Sequence, residues 1–239
     1  MRLVTLPGVF TPISDSRMLA DALRRETLPP GARVLDLCTG SGILAVTAAL
    51  RGADATAVDV SRRAVLTARL NARLNGVRVR GVRGDLFAAV EHEKFDCIVS
   101  NPPYVPSERP ELPTRGASRA WEAGPDGRVV LDRICAEAAA HLRPGGVVLL
   151  TQSDIVGEQE TLDALRAAGL RAATIERRRS PLGPLMRDRV RRGLLPEDLR
   201  EEDVLIIRGQ LIAANSGMNG TAPLAHTRPL DVDSLSTRS

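Results

Sequence analysis

The segment that most restricts the fold is a buried apolar strand, Arg33-Val34-Leu35-Asp36-Leu37. It runs into a glycine turn, Cys38-Thr39-Gly40-Ser41-Gly42, and then into an apolar helix from about Ile43 to Leu50. A strand, a tight turn and a helix in that order send the chain back across the sheet, so that the next strand lies parallel to the first. The pattern then repeats. Ala55-Thr56-Ala57-Val58 reads as a strand ending at Asp59, and a helix follows from about Ser61 to Leu74. Val77 to Val82, Phe95 to Val99, Val147 to Leu150, Arg171 to Ile175 and Val204 to Ile207 are five further strand patterns. Helices are expected near Gly127 to His141 and Gly157 to Ala168, besides one through Met18, Leu19, Ala22 and Leu23 that Pro29-Pro30-Gly31 ends. The expected fold class is α/β: a doubly wound, mostly parallel seven-stranded sheet with helices on both faces.

Ligands of such sheets bind beyond the carboxyl ends of the strands. Asp36, Asp59, Asp85 and Asn101 each stand at or just past such an end, so they are expected to line one common edge. Gly40 and Gly42 permit a tight turn and a close approach of backbone to ligand. A carboxylate at Asp59 can accept both hydroxyls of a ribose. The turn lacks a full G-x-G-x-x-G, because position 38 is cysteine and position 45 alanine, and no Lys-Ser or Lys-Thr follows to make a phosphate loop. On these residues alone a dinucleotide cofactor stays open. Asp85 reads as a contact to an adenine amino group, with Leu86 or Phe87 packed on the ring, or as a helix cap.

Asn101-Pro102-Pro103-Tyr104 narrows the chemistry. An amino or amide nitrogen on an sp² centre is a poor nucleophile, because its lone pair is delocalised. A site that methylates one must accept hydrogen bonds from both N–H groups and hold the nitrogen in line with a methylsulfonium. The Asn101 side-chain oxygen and the Pro102 carbonyl suit the first task; Pro103 stiffens the loop and Tyr104 offers an aromatic face. Catalysis of this kind rests on positioning and on accepting N–H groups as positive charge develops, with no metal and no covalent intermediate.

The motif set resembles the HemK-like class I S-adenosylmethionine-dependent methyltransferases, which methylate a glutamine amide in translation release factors. The similarity covers roughly Val9 to Arg208 and rests on Asp36-x-x-x-Gly40-x-Gly42, Asp59, Gly84-Asp85 and Asn101-Pro102-Pro103-Tyr104. It implies a Rossmann-like methyltransferase fold with S-adenosylmethionine held by Asp36, Cys38, Thr39, Gly40, Gly42, Asp59, Val60, Asp85, Leu86 and Asn101. Thr11-Pro12 with Ser14-Asp15 resembles the family's N-terminal segment, which closes over the methionine end of the cofactor. Ala120-Trp121-Glu122-Ala123-Gly124, with Gly127-Arg128 and Leu131-Asp132-Arg133, resembles the short stand-alone branch, so Trp121 is a candidate substrate contact as well as a core residue. Two departures stand out. Cys38 replaces the first glycine of the usual turn, and the residues before Val9 are too few for the helical domain that the resemblance to bacterial release-factor enzymes leads one to expect. Short relatives often use a small zinc-binding activator; by analogy the strand near Val77 to Val82 is its expected edge.

The resemblance implies a protein substrate, with a release factor favoured. An adenine-type exocyclic amine, on nucleic acid or a small molecule, is the alternative, and a silent scaffold a third reading. The chain has 239 residues, 43% hydrophobic and 26% charged, which suits one α/β domain of moderate size. The net charge of +4 is carried almost wholly by arginine, Lys94 being the only lysine; it permits nucleic acid without demanding it. Cys38, Cys97 and Cys135 make no CxxC, and His92, His141 and His226 follow no ligand pattern, so no metal site is expected. No signal-peptide pattern or membrane-length apolar run occurs, and a cytoplasmic location with no membrane partner is the default expectation. The domain is expected over 1–209, with an N-terminal arm and helix over 1–30, an Arg-rich insertion over 177–203 and a disordered tail over 210–239. That insertion reads as a solvated stretch of mutually paired charges or as a basic lip for RNA or an acidic protein face.

Overall fold

A computed structural model describes residues 1–11 and 14–212. In chain order the elements are α1 (Ser14–Arg25), β1 (Arg33–Leu37), α2 (Ile43–Leu50), β2 (Asp54–Asp59), α3 (Arg62–Leu74), β3 (Arg80–Arg83) and β4 (Phe95–Ser100). Then come α4 (Val129–Ala138), β5 (Leu142–Ser153), α5 (Glu158–Ala167), β6 (Leu170–Pro181), α6 (Pro184–Arg191) and β7 (Glu201–Leu211). The strands form one sheet in the order β3-β2-β1-β4-β5-β7-β6. The first five in space are parallel, while β7 runs antiparallel between β5 and β6.

Strand residues alternate between two apolar layers, as a sheet covered on both faces requires. Val34, Val99, Leu149 and Ile206 pack with Met18 and Leu23 of α1 and Ile43 and Leu44 of α2. Their neighbours Leu35, Ile98, Leu150 and Ile207 face Leu131 and Ile134 of α4 and Leu165 of α5. Both layers are nearly free of solvent. Among the described residues no helix is long and apolar enough to cross a membrane.

The order in which strands are added reverses between the parallel β1 and β4, one leading outward to β2 and β3 and the other to β5. This is the switch point at which open α/β sheets leave a crevice. Register brings the carboxyl ends together: Leu37 pairs with Val58 on one side and Ser100 on the other. The Ser100 hydroxyl donates to the Leu37 carbonyl at 2.8 Å and pins the two ends beside each other. Cys38, Asp59 and Asn101 therefore emerge side by side.

Three elements differ from the sequence expectation. The third strand is Arg80–Arg83, not 77–82, because Val77 still bonds back to the end of α3 through the Ala72 carbonyl. Strand β5 begins at Leu142, with Pro144-Gly145-Gly146 absorbed as a register shift opposite Phe95 and Cys97. The largest difference is 177–203. Rather than standing out as an insertion, it finishes β6, forms α6 and starts β7, with Arg177 to Pro181 paired to Leu205 to Glu201. Cross-strand pairing of Arg177 and Arg179 with Asp203 explains why so charged a stretch is a strand. The tail expected over 210–239 lies, from 213 onward, outside the described residues.

Candidate active site

The turn after β1 is built on glycine for two separate reasons. Gly42 has φ +81°, and a Cβ there would lie 2.6 Å from the Ala68 Cα, so α3 packs directly on the turn. Gly40 has φ +52°, and its Cβ would meet nothing nearer than 3.9 Å; its openness serves whatever occupies the space beyond. Cys38 also sits in the left-handed region, at φ 56°. A side chain there costs about 1–2 kcal/mol relative to ordinary backbone. Burial, with the charges of Asp59 and Asp36 adding to it, pushes the Cys38 thiol up and keeps it neutral.

Asp36 braces this turn from behind. Its Oδ2 accepts from the Thr39 hydroxyl at 2.6 Å and from the Ala45 N–H at 3.0 Å, tying the turn to the first residues of α2. The carboxyl is fully buried and its Oδ1 has no partner among the described residues. That burial raises its pKa to about 7, although both hydrogen bonds oppose the rise.

Beyond the turn lies a cavity of about 480 Å³, within the range of small-molecule sites. Its walls come from the arm (Val9, Phe10), the turn (Cys38 to Ser41), the end of β2 (Asp59, Val60) and the stretch after β3 (Asp85, Leu86). Asn101 and Pro103 form one end, and a strap including Leu112, Pro113 and Arg119 lies across it. Asp59 is held by two backbone donors, Gly40 N–H at 3.1 Å and Ser61 N–H at 2.8 Å. Burial raises its pKa, with those donors pulling the other way. A carboxylate has about four acceptor positions, so two stay open for a diol. Asp85 makes no helix cap; it is gripped by Arg133 of α4 in a two-pronged pair at 3.2 and 2.9 Å. Leu86 next to it has φ 46°, a strained setting of the kind that collects at ligand clamps.

The far end of the cavity is organised by α1. The Asn101 Nδ2 donates to Ser16 Oγ at 2.9 Å, and the Tyr104 hydroxyl donates to Asp15 Oδ2 at 2.6 Å. Asp15 and Ser16 are themselves buried. Burial, then the Asp15 carboxylate, raises the Tyr104 phenol well above its usual range, so it remains a neutral donor. The loop past Tyr104 pairs with a second segment: Val105 N–H meets the Trp121 carbonyl at 2.7 Å and Ala123 N–H the Val105 carbonyl at 3.1 Å. Arg189 of α6 locks that pairing. Its side chain is 5% exposed; Nε reaches the Pro106 carbonyl at 2.7 Å and Nη2 reaches Glu122, on the cavity wall, at 2.8 Å.

Of the residues named from sequence, Cys38, Thr39, Gly40, Asp59, Val60, Asp85, Leu86, Asn101 and Pro103 border the cavity. Asp36, Asp15, Gly42, Pro102 and Tyr104 do not; they stand behind it and hold its wall. Asp36 departs from the expected edge because its carboxylate is taken up by Thr39 of the turn and Ala45 of α2. Thr11 is exposed and off the wall, and Pro12 lies outside the described residues. Trp121 packs against Val105, Leu182 and Met186 instead of entering the cavity. Sequence reasoning named Arg133 only as part of Leu131-Asp132-Arg133, without a role, and missed Val9, Phe10, Ser16, Arg119 and Arg189. No local pattern marks them, since most act on partners far away in the chain.

Residues 1–113 match the family model described as the methyltransferase small domain. The putative protein N5-glutamine methyltransferase of Methanocaldococcus jannaschii is 35% identical over 181 residues, covering 75% of this chain and 90% of the relative. The release factor glutamine methyltransferase of Gloeobacter violaceus is 39% identical over 160 residues, 63% of this chain but 56% of that enzyme, so the chain spans little more than half of it. Among solved structures, the E. cuniculi Mtq2–Trm112 complex, responsible for methylation of the eRF1 translation termination factor, superposes with a TM-score of 0.59. Identity there is 27%, over 85% of this chain and 98% of the other. The T. thermophilus 16S rRNA N2 G1207 methyltransferase, in complex with AdoMet and guanosine, shares the fold at a TM-score of 0.55 and 22% identity, over 86% of this chain and 46% of the other. A carboxylate with open acceptor positions, a Cβ-free cradle at Gly40 and a cavity of this size fit a sulfonium nucleoside. With a relative matched over nine-tenths of its length, this chain belongs to the HemK-like family of S-adenosylmethionine-dependent methyltransferases.

Proposed function

We propose that this chain methylates a glutamine side-chain amide of a protein, with a translation release factor as the favoured acceptor. The observation that carries the reading is the Asn101 amide. Because its Nδ2 is committed to Ser16, its carbonyl oxygen is left without a partner among the described residues, on a side chain that borders the cavity. An acceptor-only oxygen in that place suits an incoming NH2 group, which brings two donors, and offers nothing to a thiolate. The names of the relatives in Methanocaldococcus jannaschii and Gloeobacter violaceus support an amide acceptor.

S-adenosylmethionine, when held by Gly40, Asp59, Asp85 and Leu86, supplies a methyl group on a positively charged sulfur. The Asn101 oxygen, on a side chain that borders the cavity, would accept an N–H group of the acceptor amide and orient its nitrogen. Forming the N–C bond would break the donor's carbon–sulfur bond and release a neutral thioether, and the Asn101 oxygen would stabilise the positive charge developing on nitrogen. The surplus proton leaves to solvent once the charge has formed, so Tyr104 need not act as a base. Its neutral hydroxyl keeps the loop on Asp15. Ordering of this sort lowers the barrier by fixing the attack geometry.

A small activator protein is the accompanying partner in this reading, docked along the open side of β3. The E. cuniculi enzyme was solved with Trm112, and β3 is a sheet edge whose Arg80 and Arg83 stand at its two ends. Unpaired edge N–H and C=O groups are a template for an added strand.

The test is transfer of radiolabelled methyl from S-adenosylmethionine, offering purified release factor, tRNA, DNA and cell protein extract side by side. Label on the release factor that vanishes when its acceptor glutamine is replaced supports the proposal. Label confined to nucleic acid overturns it in favour of an exocyclic amine.

A further inference from the structure

The segment 177–203 carries a second concavity that the methyl-transfer chemistry does not use. Between α6 and the stretch 194–200 lies a groove of about 490 Å³, with Leu182, Val190 and Leu199 as its floor and Arg187, Arg191 and Arg200 as its exposed rim. Charge in this segment is sorted along its length. At the strand base, Arg177 and Arg179 are matched by Glu158, Glu201 and Asp203. At the groove end the arginines outnumber their partners. Arg187 meets no carboxylate among the described residues, and Arg200 rests only on the Glu197 and Leu199 carbonyls at 2.5 and 3.0 Å. Arg191 shares the single carboxylate of Asp188 with Arg189 and Arg192. Glu197 and Asp198 stand in the 194–200 stretch but do not line the groove, whose own lining is cationic above and apolar beneath.

Its position ties it to the acceptor end of the cavity. Val190 and Leu199 belong to the same apolar cluster as Tyr104, Val105 and Trp121. The helix that forms one wall also sends Arg189 to Pro106 and Glu122. A ligand seated in the groove is therefore gripped by the helix that braces the loop following Asn101. A single-stranded nucleic acid is the poorer match, because 177–203 contains no aromatic side chain on which a base can stack. An apolar floor likewise offers nothing to a sugar–phosphate backbone. Carboxylates over aliphatic side chains satisfy both layers at once.

We infer that this groove docks an acidic segment, bearing aliphatic side chains, of the protein whose amide is methylated. The inference rests on the proposed protein acceptor, and it supplies a hold on that substrate from α6 and the 194–200 stretch, remote in sequence from the Asn101 loop. Opposed charge here sets which partners dock and how fast more than the chemistry that follows.

The experiment compares wild type with the double variant Arg187→Glu/Arg200→Glu, both checked for unchanged melting and unchanged S-adenosylmethionine binding. Fluorescence anisotropy with a labelled peptide of Glu-Glu-Leu repeats is expected to show binding that weakens at least about tenfold in the variant. In the methyl-transfer assay on release factor, KM for the protein rises by a similar factor while kcat holds. Equal peptide binding by the two proteins overturns the groove assignment. Binding of single-stranded RNA that outcompetes the peptide, and is lost in the same variant, overturns the choice of a protein partner. If wild type leaves release factor unlabelled, the proposed acceptor falls while the peptide comparison still decides the groove.

Discussion

Around the glycine turn, site groups are fixed by backbone donors of the two neighbouring strand–turn–helix units: Gly40 and Ser61 hold Asp59, and Ala45 holds Asp36. Around Asn101 the fixing groups come instead from remote side chains, Ser16 and Asp15 on α1 and Arg189 on α6. The contrast teaches that the cofactor end is as rigid as the sheet that makes it, while the acceptor end is only as well placed as three side-chain contacts allow. Substitutions at the two ends should therefore fail differently. Cofactor-end changes act on folding and cofactor affinity; acceptor-end changes act on turnover with the cofactor still bound.

The largest expected effect is at Asn101. Asn101→Ala is expected to lower kcat by about 10²–10³-fold with S-adenosylmethionine affinity within about twofold by calorimetry; a matching loss of affinity would erase the distinction between the ends. Next is Arg189→Ala, which strands Glu122 beside a buried space and is expected to cost about 3 kcal/mol by urea unfolding. At a temperature where the variant is folded, kcat should still fall while cofactor affinity holds, and Arg189→Lys should recover part of kcat through the Glu122 contact.

Gly42→Ala tests the other end. The clash with Ala68 and the left-handed backbone together predict a loss of about 2–3 kcal/mol, read as a lower melting temperature. Asp36 offers a pH test. Its folded pKa of about 7 lies above the roughly 3.9 of an unfolded aspartate. The native state thus binds the proton more tightly, and stability from this group is full below about pH 4 and declines as pH rises to about 7. Relative to Asp36→Asn, wild type should lose about 2 kcal/mol between about pH 5.5 and about pH 8; parallel pH profiles would show that the carboxyl titrates normally. The smallest effect sharpens the picture of the turn. Cys38→Gly removes a side chain from a φ of 56° and should raise stability by about 1 kcal/mol, less the entropy glycine adds to the unfolded chain.

The same contrast governs how far the sequence could be read. Strand–turn–helix periodicity is local, so β1, β2, β4 and the seven-stranded order of business in the core were legible, and so were Asp59, Gly40 and Asn101 at the strand ends. Asp36 was misplaced because motif position tells where a side chain starts and not which way its carboxylate turns. Trp121 is open between substrate contact and core residue in the sequence, and the structure packs it in the apolar cluster of Val105, Leu182 and Met186. Ser16 and Arg189 were invisible, and Arg133 was named without a role, because each contributes through a partner 48 or more positions away. The charge run over 177–203 hid a strand, since its pairing with Asp203 and Glu201 becomes evident only once β6 and β7 are side by side.

The place of β7 in the sheet has a consequence for the order in which the molecule is completed. Among the described residues it is the last strand in sequence yet an interior one in space, with β5 and β6 on its flanks. Everything that shapes the cofactor cavity on the β1–β4 side can form while Glu201–Leu211 is still being synthesised, but β6 has no sheet partner until that strand arrives, and the hairpin that positions α6 closes with it. Long-range closure of this kind is slow relative to local folding. A nascent or partially unfolded chain is therefore expected to acquire cofactor binding first and protein methylation last, with the exposed edge of β5 marking the interval between them.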